Sequence, residues 1–591
     1  MNTVSQSSLS PLPLKDWSRN LARRWNSASY SLFVLHGNIF DLFPLQTGDT
    51  ISYVPLKSFL KHRFFPDRSY LLFYDISDGL SFGDADMQRR FFEWLEIYDQ
   101  VEKTAYHVTG PPRDFTQLIP VLHRFFLKAA EEKELSRGVT LIIDFPEKII
   151  PASEEAGLRL EERKALVTLL KWASSPEFLK LDTGIFLVTE TPGELHEDIL
   201  QNPHIASLAV TLPDQEDRRL FLQTRWEKDP DDPLRPASCE ISYADLAART
   251  AGLSLLRIQH LMAEAVNNDT TISSTYVASA KKRLIEEYCL GLVKFKEPKP
   301  GVSLDLVATH SEAKKRMREL AWLIKNGRGD VLERGVLLPG RVGVGKSFLV
   351  DCFAAECGLP VMEMGEFRSK WVGDTERQLT KILMTIKALG PVIVVVDEAD
   401  AVFGSRSSSG DSGVSNRVFA ALAAHIGDSS LRGRELWIAM TSRPDLLAID
   451  MKRQGRFGLC IPLFPAQNEQ DVLNLFTVIA RAKKVVLDDE MTAYVAERFG
   501  TAALTGSDVE AVIIRAKERA VLAMRDSVTV ADMREAVDSF IDPLSPELLE
   551  LQELAAVLSC SDRRYLPERY QHADKDDLST RFSHLVHLVP R

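Results

Sequence analysis

A glycine-rich loop followed by a lysine and a serine constrains this chain more than any other stretch. Positions 336–347 read VLLPGRVGVGKS, in which four residues separate Gly340 from Gly345, and Lys346 and Ser347 follow. In this P-loop pattern the glycines turn backbone N–H groups toward phosphate oxygens, the lysine reaches the β and γ phosphates, and the serine hydroxyl binds Mg²⁺. The pattern needs a strand before the loop and a helix after it, so it predicts a parallel α/β sheet. The predicted nucleotide-binding residues of the loop are Gly340, Arg341, Val342, Gly343, Val344, Gly345, Lys346, Ser347 and Phe348.

An apolar run that ends in two carboxylates completes the same chemistry. Residues 391–396 read PVIVVV, and Asp397 and Glu398 follow. We predict that Ser347 and Asp397 bind the metal ion and its hydration shell, and that Glu398 is the general base that polarises the attacking water. Both carboxylates are expected at the carboxyl end of a central strand, where open α/β sheets bind ligands. The predicted activity is hydrolysis of ATP with Mg²⁺.

Length, charge and apolar patterning exclude several classes of protein. A chain of 591 residues is too long for one core and should form several domains. Its net charge of −11 gives no electrostatic footprint for nucleic acid, so no nucleic-acid partner is expected. No apolar run approaches the ~20 residues that span a bilayer, and the N-terminus lacks the apolar core of a signal peptide. Six cysteines without metal or disulfide spacing suit a reducing compartment, so the predicted location is cytoplasmic.

The chain contains an internal repeat. Strand-like and helix-like segments alternate in both halves, which predicts parallel sheets with helices on both faces, each followed by a helical lid. Four landmarks in the first half recur at a nearly constant separation in the second half. They are Asp144 with Asp397, Thr189 with Thr441, Pro213 with Pro465, and Leu255 with Gly506. One shared register indicates two copies of one domain.

The two copies are not equivalent in their chemistry. After Gly37 the first copy reads HGNIFDLFPL around the position of the loop and has no lysine there. Lys57 lies in a KSFL segment like that of Lys346, but Leu56 stands where the glycine is needed, and Phe145 follows Asp144. We predict that the first copy neither hydrolyses nor tightly binds ATP. Retention of a nucleotide by other means is the alternative.

A Lys/Pro-rich segment, KFKEPKPG at 294–301, marks the boundary between the copies. The predicted domains are an N-terminal arm at 1–28, a degenerate domain without a P-loop at 29–290, a linker at 291–305, an ATPase core at 306–465, a helical lid at 466–542 and a C-terminal helical extension at 543–591.

Five segments together carry a family resemblance. They are LERGVLLPGRVGVGKS, SKWVGDTE, VIVVVDEAD, IAMTSRPDLLAID and KRQGRFGLCIPLF. Residues 300–542 resemble a classical AAA domain of the FtsH, NSF and katanin kind. The stretch at 405–422 resembles a narrower group, the cyanobacterial and plastid hypothetical-reading-frame AAA proteins, which place a degenerate AAA-like region before one active module. The resemblance implies an α/β fold of two tandem AAA+ modules, each a parallel-sheet core plus a helical lid, with the first degenerate.

The resemblance also implies a shared active site. Arg453 and Arg456 match the paired arginine fingers that reach the ATP of a neighbouring subunit, where a planar guanidinium compensates charge on the transferred phosphoryl group. The expected assembly is therefore a homo-oligomer, in this family a hexameric ring. The alternative is that both are solvated surface arginines.

Two departures from the family pattern affect the site. Sensor 1, usually an asparagine, falls on Ser442, whose hydroxyl has a shorter reach, so hydrolysis is expected to be slow or differently tuned. Arg341 and Val342 stand where two prolines are common, and we expect this change to be tolerated. The resemblance places three further residues at the nucleotide, namely Val307, Gly506 and Ser507.

Two segments match or border the pore of family rings. Trp371 and Val372 match the aromatic-hydrophobic loop that grips a polypeptide substrate. The alternative is a tryptophan packed beneath a loop. The stretch 404–413, GSRSSSGDSG, is either a second pore loop or an unstructured connection, and the sequence leaves both open.

Two functional classes follow from these observations. The first is an oligomeric ATPase that remodels or unfolds a protein substrate, with an adaptor or substrate recruited through the first domain. The second is an ATP-gated scaffold or regulatory protein with slow hydrolysis at the Ser442 site. A nucleic-acid motor is disfavoured by the acidic balance and by the lack of a recognisable nucleic-acid-binding module.

Overall fold

Two six-stranded sheets organise the part of the chain that the structure describes. The structure is a computed structural model that describes residues 14–48, 50–131, 138–152, 157–180, 182–227, 232, 235–236, 238–299, 301–365, 375–404, 413–500, 502–541 and 544–589. The chain divides into two compact units. The first contains Met1–Leu284 and Glu376–Ala388, and the second contains Ile285–Thr375 and Leu389–Arg591.

The first unit contains a mostly parallel sheet with a separate hairpin. Its strands are β1 Leu32–Gly37, β2 Leu42–Thr47, β3 Thr50–Pro55, β4 Tyr70–Asp75, β5 Gly79–Phe82, β6 Val139–Asp144, β7 Thr183–Thr189 and β8 Ile205–Val210. The sheet order is β5-β4-β6-β7-β1-β8, in which only β5 is antiparallel to its neighbour. Strands β6 and β7 are buried along almost their whole length, as expected of parallel strands that lie between layers of helices. The hairpin pairs β2 with β3 outside this sheet.

Helices surround the first sheet and continue into a helical region. They are α1 Asp16–Asn26, α2 Leu56–Phe59, α3 Ala85–Glu102, α4 Tyr106–Thr109, α5 Phe115–Glu131, α6 Leu160–Ser174, α7 Pro176–Lys180, α8 Glu197–Gln201, α9 Gln215–Leu222, α10 Tyr243–Arg249, α11 Leu255–Asn267 and α12 Ser274–Tyr288. Helix α1 buries Trp17, Leu21 and Trp25 in the core of the sheet region, so it belongs to the fold of this unit.

The second unit repeats the sheet with fewer insertions. Its strands are β9 Val293–Lys296, β10 Gly335–Pro339, β11 Val361–Met364, β12 Val392–Val396, β13 Glu435–Thr441 and β14 Leu459–Cys460. The helices of this part of the chain are α13 Ser311–Lys325, α14 Lys346–Cys357, α15 Thr375–Leu389, α16 Ala399–Phe403, α17 Gly413–Ile426, α18 Glu469–Ala482, α19 Asp489–Phe499, α20 Gly506–Leu522, α21 Val530–Asp538, α22 Pro546–Leu558, α23 Glu568–Gln571 and α24 Lys575–Leu588. Of these, α15 falls almost wholly within the first unit.

The two sheets share one strand order. The second sheet runs β14-β10-β13-β12-β11-β9, so each of its parallel strands has a counterpart in β8-β1-β7-β6-β4. Both sheets end in an antiparallel edge strand, β5 in the first and β9 in the second. Strand β5 follows β4 along the chain, whereas β9 comes from the segment before the second core. The predicted fold class, two tandem α/β modules with parallel-sheet cores and helical lids, is confirmed.

A helical lid follows each sheet. Helices α18 to α21 enclose an apolar core of their own in the second lid, and α9 to α12 follow the first sheet. The helices α11 and α20 occupy matching places and begin in the same way. Ser254 caps α11 and Thr505 caps α20, since each hydroxyl accepts a backbone N–H three residues later.

The C-terminal extension forms a small helical layer on the second core. Leu551, Leu554 and Leu585 join α22 to α24 in an apolar cluster. Ser561, between α22 and α23, binds edge strand β14: its Oγ donates to the Cys460 carbonyl at 2.9 Å and accepts the Cys460 N–H at 2.9 Å. Among the described residues, no helix combines the length and apolar character needed to cross a membrane.

Candidate functional site

The glycine-rich loop connects β10 to α14, as the P-loop pattern requires. Strand β10 ends at Pro339 and α14 begins at Lys346. Gly343 and Gly345 have φ of +85° and +89°, in the left-handed region that favours glycine. A Cβ atom on Gly343 would lie 2.8 Å from Thr505 Oγ1, so a side chain there would collide with the cap of α20. The loop conformation therefore depends on these glycines.

A cavity of about 830 Å³ lies at the carboxyl ends of β10, β12 and β13, beneath the lid. It brings together most of the residues predicted from the sequence. Those that line it are Val307, Val342, Gly343, Val344, Gly345, Lys346, Ser347, Phe348, Asp397, Glu398, Ser442, Gly506 and Ser507. Such a volume is in the range of small-molecule sites in proteins. Gly340 and Arg341 lie behind it, where Gly340 bridges to Leu463 and Arg341 is buried.

Lys346 is held over the loop by main-chain acceptors. Its Nζ donates to the carbonyl oxygens of Gly340 at 2.8 Å and Arg341 at 3.0 Å. Burial lowers the pKa of the Lys346 ammonium to about 8, although the negative charges of Asp397 and Asp400 favour the protonated form. The Lys346 ammonium thus lies in the cavity close to two acidic lining residues, Asp397 and Asp400.

The carboxylates after β12 face the same cavity. Glu398 has φ of +46°, a left-handed conformation that turns the chain sharply into α16. Its backbone N–H donates to Asp397 Oδ1 at 2.9 Å, and both side chains are exposed to the cavity. Asp400, one helical turn on, accepts the Thr441 hydroxyl at 2.5 Å. This bond fixes the end of β13 directly before Ser442.

The lid touches the loop through its first turn. The Ser507 N–H donates to the Gly343 carbonyl at 3.3 Å. Apolar side chains of α18 and of the segment before α13 line the same side of the cavity, among them Leu475 and Ile479. This side is suited to a flat apolar group, whereas the loop side is suited to anions.

Sequence reasoning missed several residues of the cavity. His310 has a ring Nε2 that lies 3.0 Å from the Val344 carbonyl, and burial lowers its pKa. The remaining unforeseen lining residues include Asp400, Lys483 and Glu510. His310 lies three residues after Val307, which the family resemblance places at the nucleotide, and this proximity was the available signal.

Three family models match the chain. Residues 336–465 match the ATPase family associated with various cellular activities (AAA). Residues 9–211 match the N-terminal Rossmann-like domain of AAA+ chaperones, and residues 216–290 match the second helical domain of AAA+ chaperones. The chain belongs to the AAA+ family. These matches cover both units.

Several curated AAA+ relatives are similar to part of the chain. A proteasome-activating nucleotidase of Methanothermobacter thermautotrophicus is 31% identical over 42% of this chain and 61% of its own length. A cell division cycle protein 48 homolog of Archaeoglobus fulgidus is 25% identical over 68% of this chain and 57% of its own length. An uncharacterized AAA domain-containing protein, ycf46 of Trieres chinensis, is 27% identical over 46% of this chain and 55% of its own length. The chain spans about half the length of the curated relatives that it matches.

The two predicted finger residues, Arg453 and Arg456, are not among the described residues that line the cavity. Arg453 is 64% exposed and its Nε lies 3.0 Å from Asp450 Oδ1. Arg456 is only 16% exposed; its Nη1 contacts the Asp450 carboxylate and donates to the Asp450 carbonyl at 3.0 Å. One carboxylate, that of Asp450, therefore pairs with both guanidinium groups, of which Arg453 is exposed and Arg456 is largely buried. The predicted pore residues Trp371 and Val372, and most of the stretch 404–413, lie outside the described residues.

The first AAA+ module has a different structure at the edge that matches this cavity. The β2–β3 hairpin replaces the glycine loop between β1 and α2. Lys57 in α2 lies 3.7 Å from the Asp144 carboxylate, so the two residues that echo Lys346 and Asp397 form an ion pair. The rings of Phe145 and Phe40 stack at 6.1 Å across the edge. The pocket that remains there is about 230 Å³.

A carboxylate ties the first lid to its sheet. Asp41 is buried in the segment that stands in place of the P-loop, and it accepts the Asn38 side-chain amide at 2.7 Å. It also accepts the backbone N–H groups of Leu255 at 3.1 Å and Leu256 at 2.9 Å. These N–H groups open α11, where a helix dipole favours an anion. An internal side chain thus stabilises the start of the helix.

Proposed function

We propose that this protein is a Mg²⁺-dependent ATPase whose second module hydrolyses ATP in a homo-hexameric ring and uses the cycle to remodel or unfold a protein substrate. One observation carries the proposal. A single cavity unites the P-loop, Lys346, the Asp397–Glu398 pair and Ser442 beneath a lid. Membership of the AAA+ family supports ATP as the nucleotide, and the similarity to a proteasome-activating nucleotidase supports work on proteins.

The walls of the cavity suit the parts of ATP. Backbone N–H groups at the start of α14 and the Lys346 ammonium would bind the phosphates. The Ser347 hydroxyl and the Asp397 carboxylate face the same cavity and supply the oxygen donors that Mg²⁺ prefers, so they fit this ion. When bound, Mg²⁺ would neutralise phosphate charge. The apolar wall beside Val307 would hold the adenine.

Hydrolysis requires a group that takes a proton from water. Glu398 is exposed to the cavity beside Asp397, and its carboxylate would accept that proton as the water attacks the γ phosphate in line. The Ser442 hydroxyl would orient the water, with its position set by the Thr441–Asp400 hydrogen bond. A hydroxyl reaches less far than the family's usual asparagine amide, so slow turnover is part of the proposal.

The finger positions support a ring. Arg453 and Arg456 lie outside their own cavity, so they would act only on the ATP of a neighbouring subunit. In this proposal the degenerate domain at 29–290 recruits the protein substrate or an adaptor, the lid at 466–542 closes over the nucleotide, and Trp371 and Val372 grip the substrate polypeptide.

The test measures nucleotide affinity and steady-state ATP turnover of the full chain. Lys346→Ala should abolish binding because it removes the cation opposite the β and γ phosphates, whereas Glu398→Gln should bind ATP and not hydrolyse it. Lys57→Ala is the matched control, since it changes the lysine of the other KSFL segment, and it should leave both quantities unchanged. Equal ATP affinity in the wild type and in Lys346→Ala would end the assignment.

A further inference from the structure

The C-terminal extension reaches the P-loop directly. Helix α22 brings Gln552 and Glu553 to the two loop residues that depart from the family's usual prolines. The Val342 N–H donates to Gln552 Oε1 at an N···O distance of 3.4 Å, and Arg341 Nη1 lies 3.8 Å from Glu553 Oε2. A proline at position 342 would have no N–H to donate. The sequence departure and the extension therefore fit each other.

These polar side chains meet in a buried place. The exposed fractions are 8% for Arg341, 5% for Gln552 and 7% for Glu553. Within the described residues Arg341 Nε has no hydrogen-bond partner, and the carboxylate of Glu553, 3.8 Å from Nη1, is the anion that pairs with the guanidinium. Burying a cation is costly unless an anion is close, and removal of one partner leaves the other uncompensated. Loss of Glu553 would thus force Arg341 to move toward water.

Glu553 is itself held from the side of the extension. Its Oε1 accepts the Tyr570 hydroxyl at 2.8 Å and contacts the Arg569 guanidinium. The extension is in turn bound to β14 through Ser561. The Glu553 carboxylate is therefore held at a fixed point beside Arg341 of the loop.

Arg341 connects this fixed point to the nucleotide cavity. Its carbonyl accepts Lys346 Nζ at 3.0 Å, while its guanidinium faces Glu553. A displacement of Arg341 would move both an acceptor of the lysine and the adjacent N–H of Val342. Small displacements of a binding loop cost affinity because the site is no longer preorganised.

We propose that Gln552 and Glu553 are positioning residues for the P-loop, through which the C-terminal extension sets the nucleotide affinity of the second module. This inference rests on the proposed role of the loop in binding ATP. It gives the extension a function within the site, although none of the described residues of the extension lines the cavity.

The test is a double-mutant cycle on the full chain, read out as affinity for ADP and ATP and as kcat at saturating ATP. Glu553→Gln should weaken both affinities about tenfold, with kcat changed less than twofold. Arg341→Met combined with Glu553→Gln removes both charges at once, so it should restore most of the affinity lost in Glu553→Gln. Gln552→Leu keeps the volume, removes the acceptor and should weaken binding severalfold.

Two controls separate positioning from folding. Glu550→Gln changes a carboxylate on the same helix that pairs with Arg581 at the surface, at 2.6 Å, and should leave affinity unchanged. Arg569 contacts Glu553 from the side of the extension. Arg569→Gln should therefore lower the melting temperature while changing nucleotide affinity little. Unchanged affinity in both Glu553→Gln and Gln552→Leu, or a double variant no better than Glu553→Gln alone, overturns the proposal. Normal ATP binding by the Lys346→Ala variant would instead refute the proposed role of the loop in binding ATP.

Discussion

Phe145 and Glu398 lie just after corresponding strands of the two sheets, β6 and β12. Both have a left-handed backbone conformation, with φ of +53° and +46°. One carries an aromatic ring that stacks on Phe40, and the other a carboxylate exposed to the cavity. The backbone has been kept while the chemistry has changed. A parallel sheet is specified by its buried strands, whereas the residue after a strand is free to differ, so fold and activity separate at this position.

Lys346 and Lys57, at matching edges of the two sheets, show the same difference between the modules. Lys346 donates to carbonyls of the loop at the mouth of a cavity of about 830 Å³. Lys57 pairs with Asp144 and lies 4.3 Å above the Phe73 ring, beside a pocket of about 230 Å³. In the first module the protein's own groups satisfy the charges that a nucleotide would otherwise satisfy.

The lids differ in the same sense. A buried carboxylate, Asp41, binds the start of α11 in the first module, whereas in the second module the Ser507 N–H at the start of α20 donates to the Gly343 carbonyl of the loop. The first lid is held by the chain itself, and the second leaves room for a ligand.

The largest expected effect tests whether the second edge needs a neighbouring subunit. Arg456→Ala should bind ATP and lose about 10³-fold in turnover, on the order of 4 kcal/mol, because a finger compensates charge only in the transition state. A mixture of Arg456→Ala and Glu398→Gln subunits should regain turnover, since some interfaces then combine an intact Glu398 with an intact finger. Mixed rings that remain inactive, or a fully active monomer, would contradict the shared site. Arg564→Ala, which breaks a local surface ion pair, is the control.

Removal of Asp41 should loosen the first lid. Asp41→Ala leaves two N–H groups and the Asn38 amide without their acceptor and should destabilise the start of α11 by about 3 kcal/mol. Hydrogen exchange of the peptide that spans Leu255 and Leu256 measures the loss, with the start of α20 as an internal reference. Asp41→Asn should lose less because it retains one acceptor oxygen. Equal protection in Asp41→Ala and the wild type would show that the carboxylate does not hold the lid.

A side chain in the glycine loop should make the second edge more like the first. Gly343→Ala places a Cβ 2.8 Å from Thr505 Oγ1 at φ of +85°, so nucleotide affinity should fall by about 2 kcal/mol, roughly 30-fold. Gly48→Ala, in the hairpin of the first module, has φ of +61° and no atom within 4 Å. It should leave nucleotide affinity unchanged. The idea fails if titration of the two variants gives the same affinity.

The smallest expected effect concerns Ser442. Ser442→Asn restores the longer amide of the family pattern and should raise kcat a few-fold, which corresponds to about 1 kcal/mol or less. Steady-state turnover at saturating ATP measures it, and a decrease in kcat would show that the serine is not the limit. The equivalent position of the first module carries Glu190. Because that module is predicted not to hydrolyse ATP, Glu190→Asn should not raise kcat.

Local sequence was sufficient for the two sheets and for most of the cavity. Buried strands such as β12 and β13 are short apolar runs, and the glycine loop is defined by residues next to one another. The β2–β3 hairpin was not predicted, because a proline inside β2 and a short polar turn obscured the alternation. Strand β9 lies in a segment whose lysines and prolines predict a linker.

Contacts between distant residues could not be predicted from one sequence. His310 meets the carbonyl of Val344, and Gln552 meets Val342 across 210 positions of the chain. Neither pair has a spacing that a local pattern detects. Such contacts arise from the docking of whole helices, so they become visible only when the fold is known.

Both edge strands of the second sheet, β9 and β14, have features that oppose aggregation. Strand β9 buries Val293 and Phe295 and directs Lys294 and Lys296 to ion pairs with Glu363 at its edge. At the opposite edge, Ser561 occupies the N–H and carbonyl of Cys460 in β14. Charged residues and occupied backbone groups prevent edge-to-edge pairing of sheets from different molecules. High local concentrations of the chain, as in the ring that we propose, would therefore favour ordered contacts over fibrous ones.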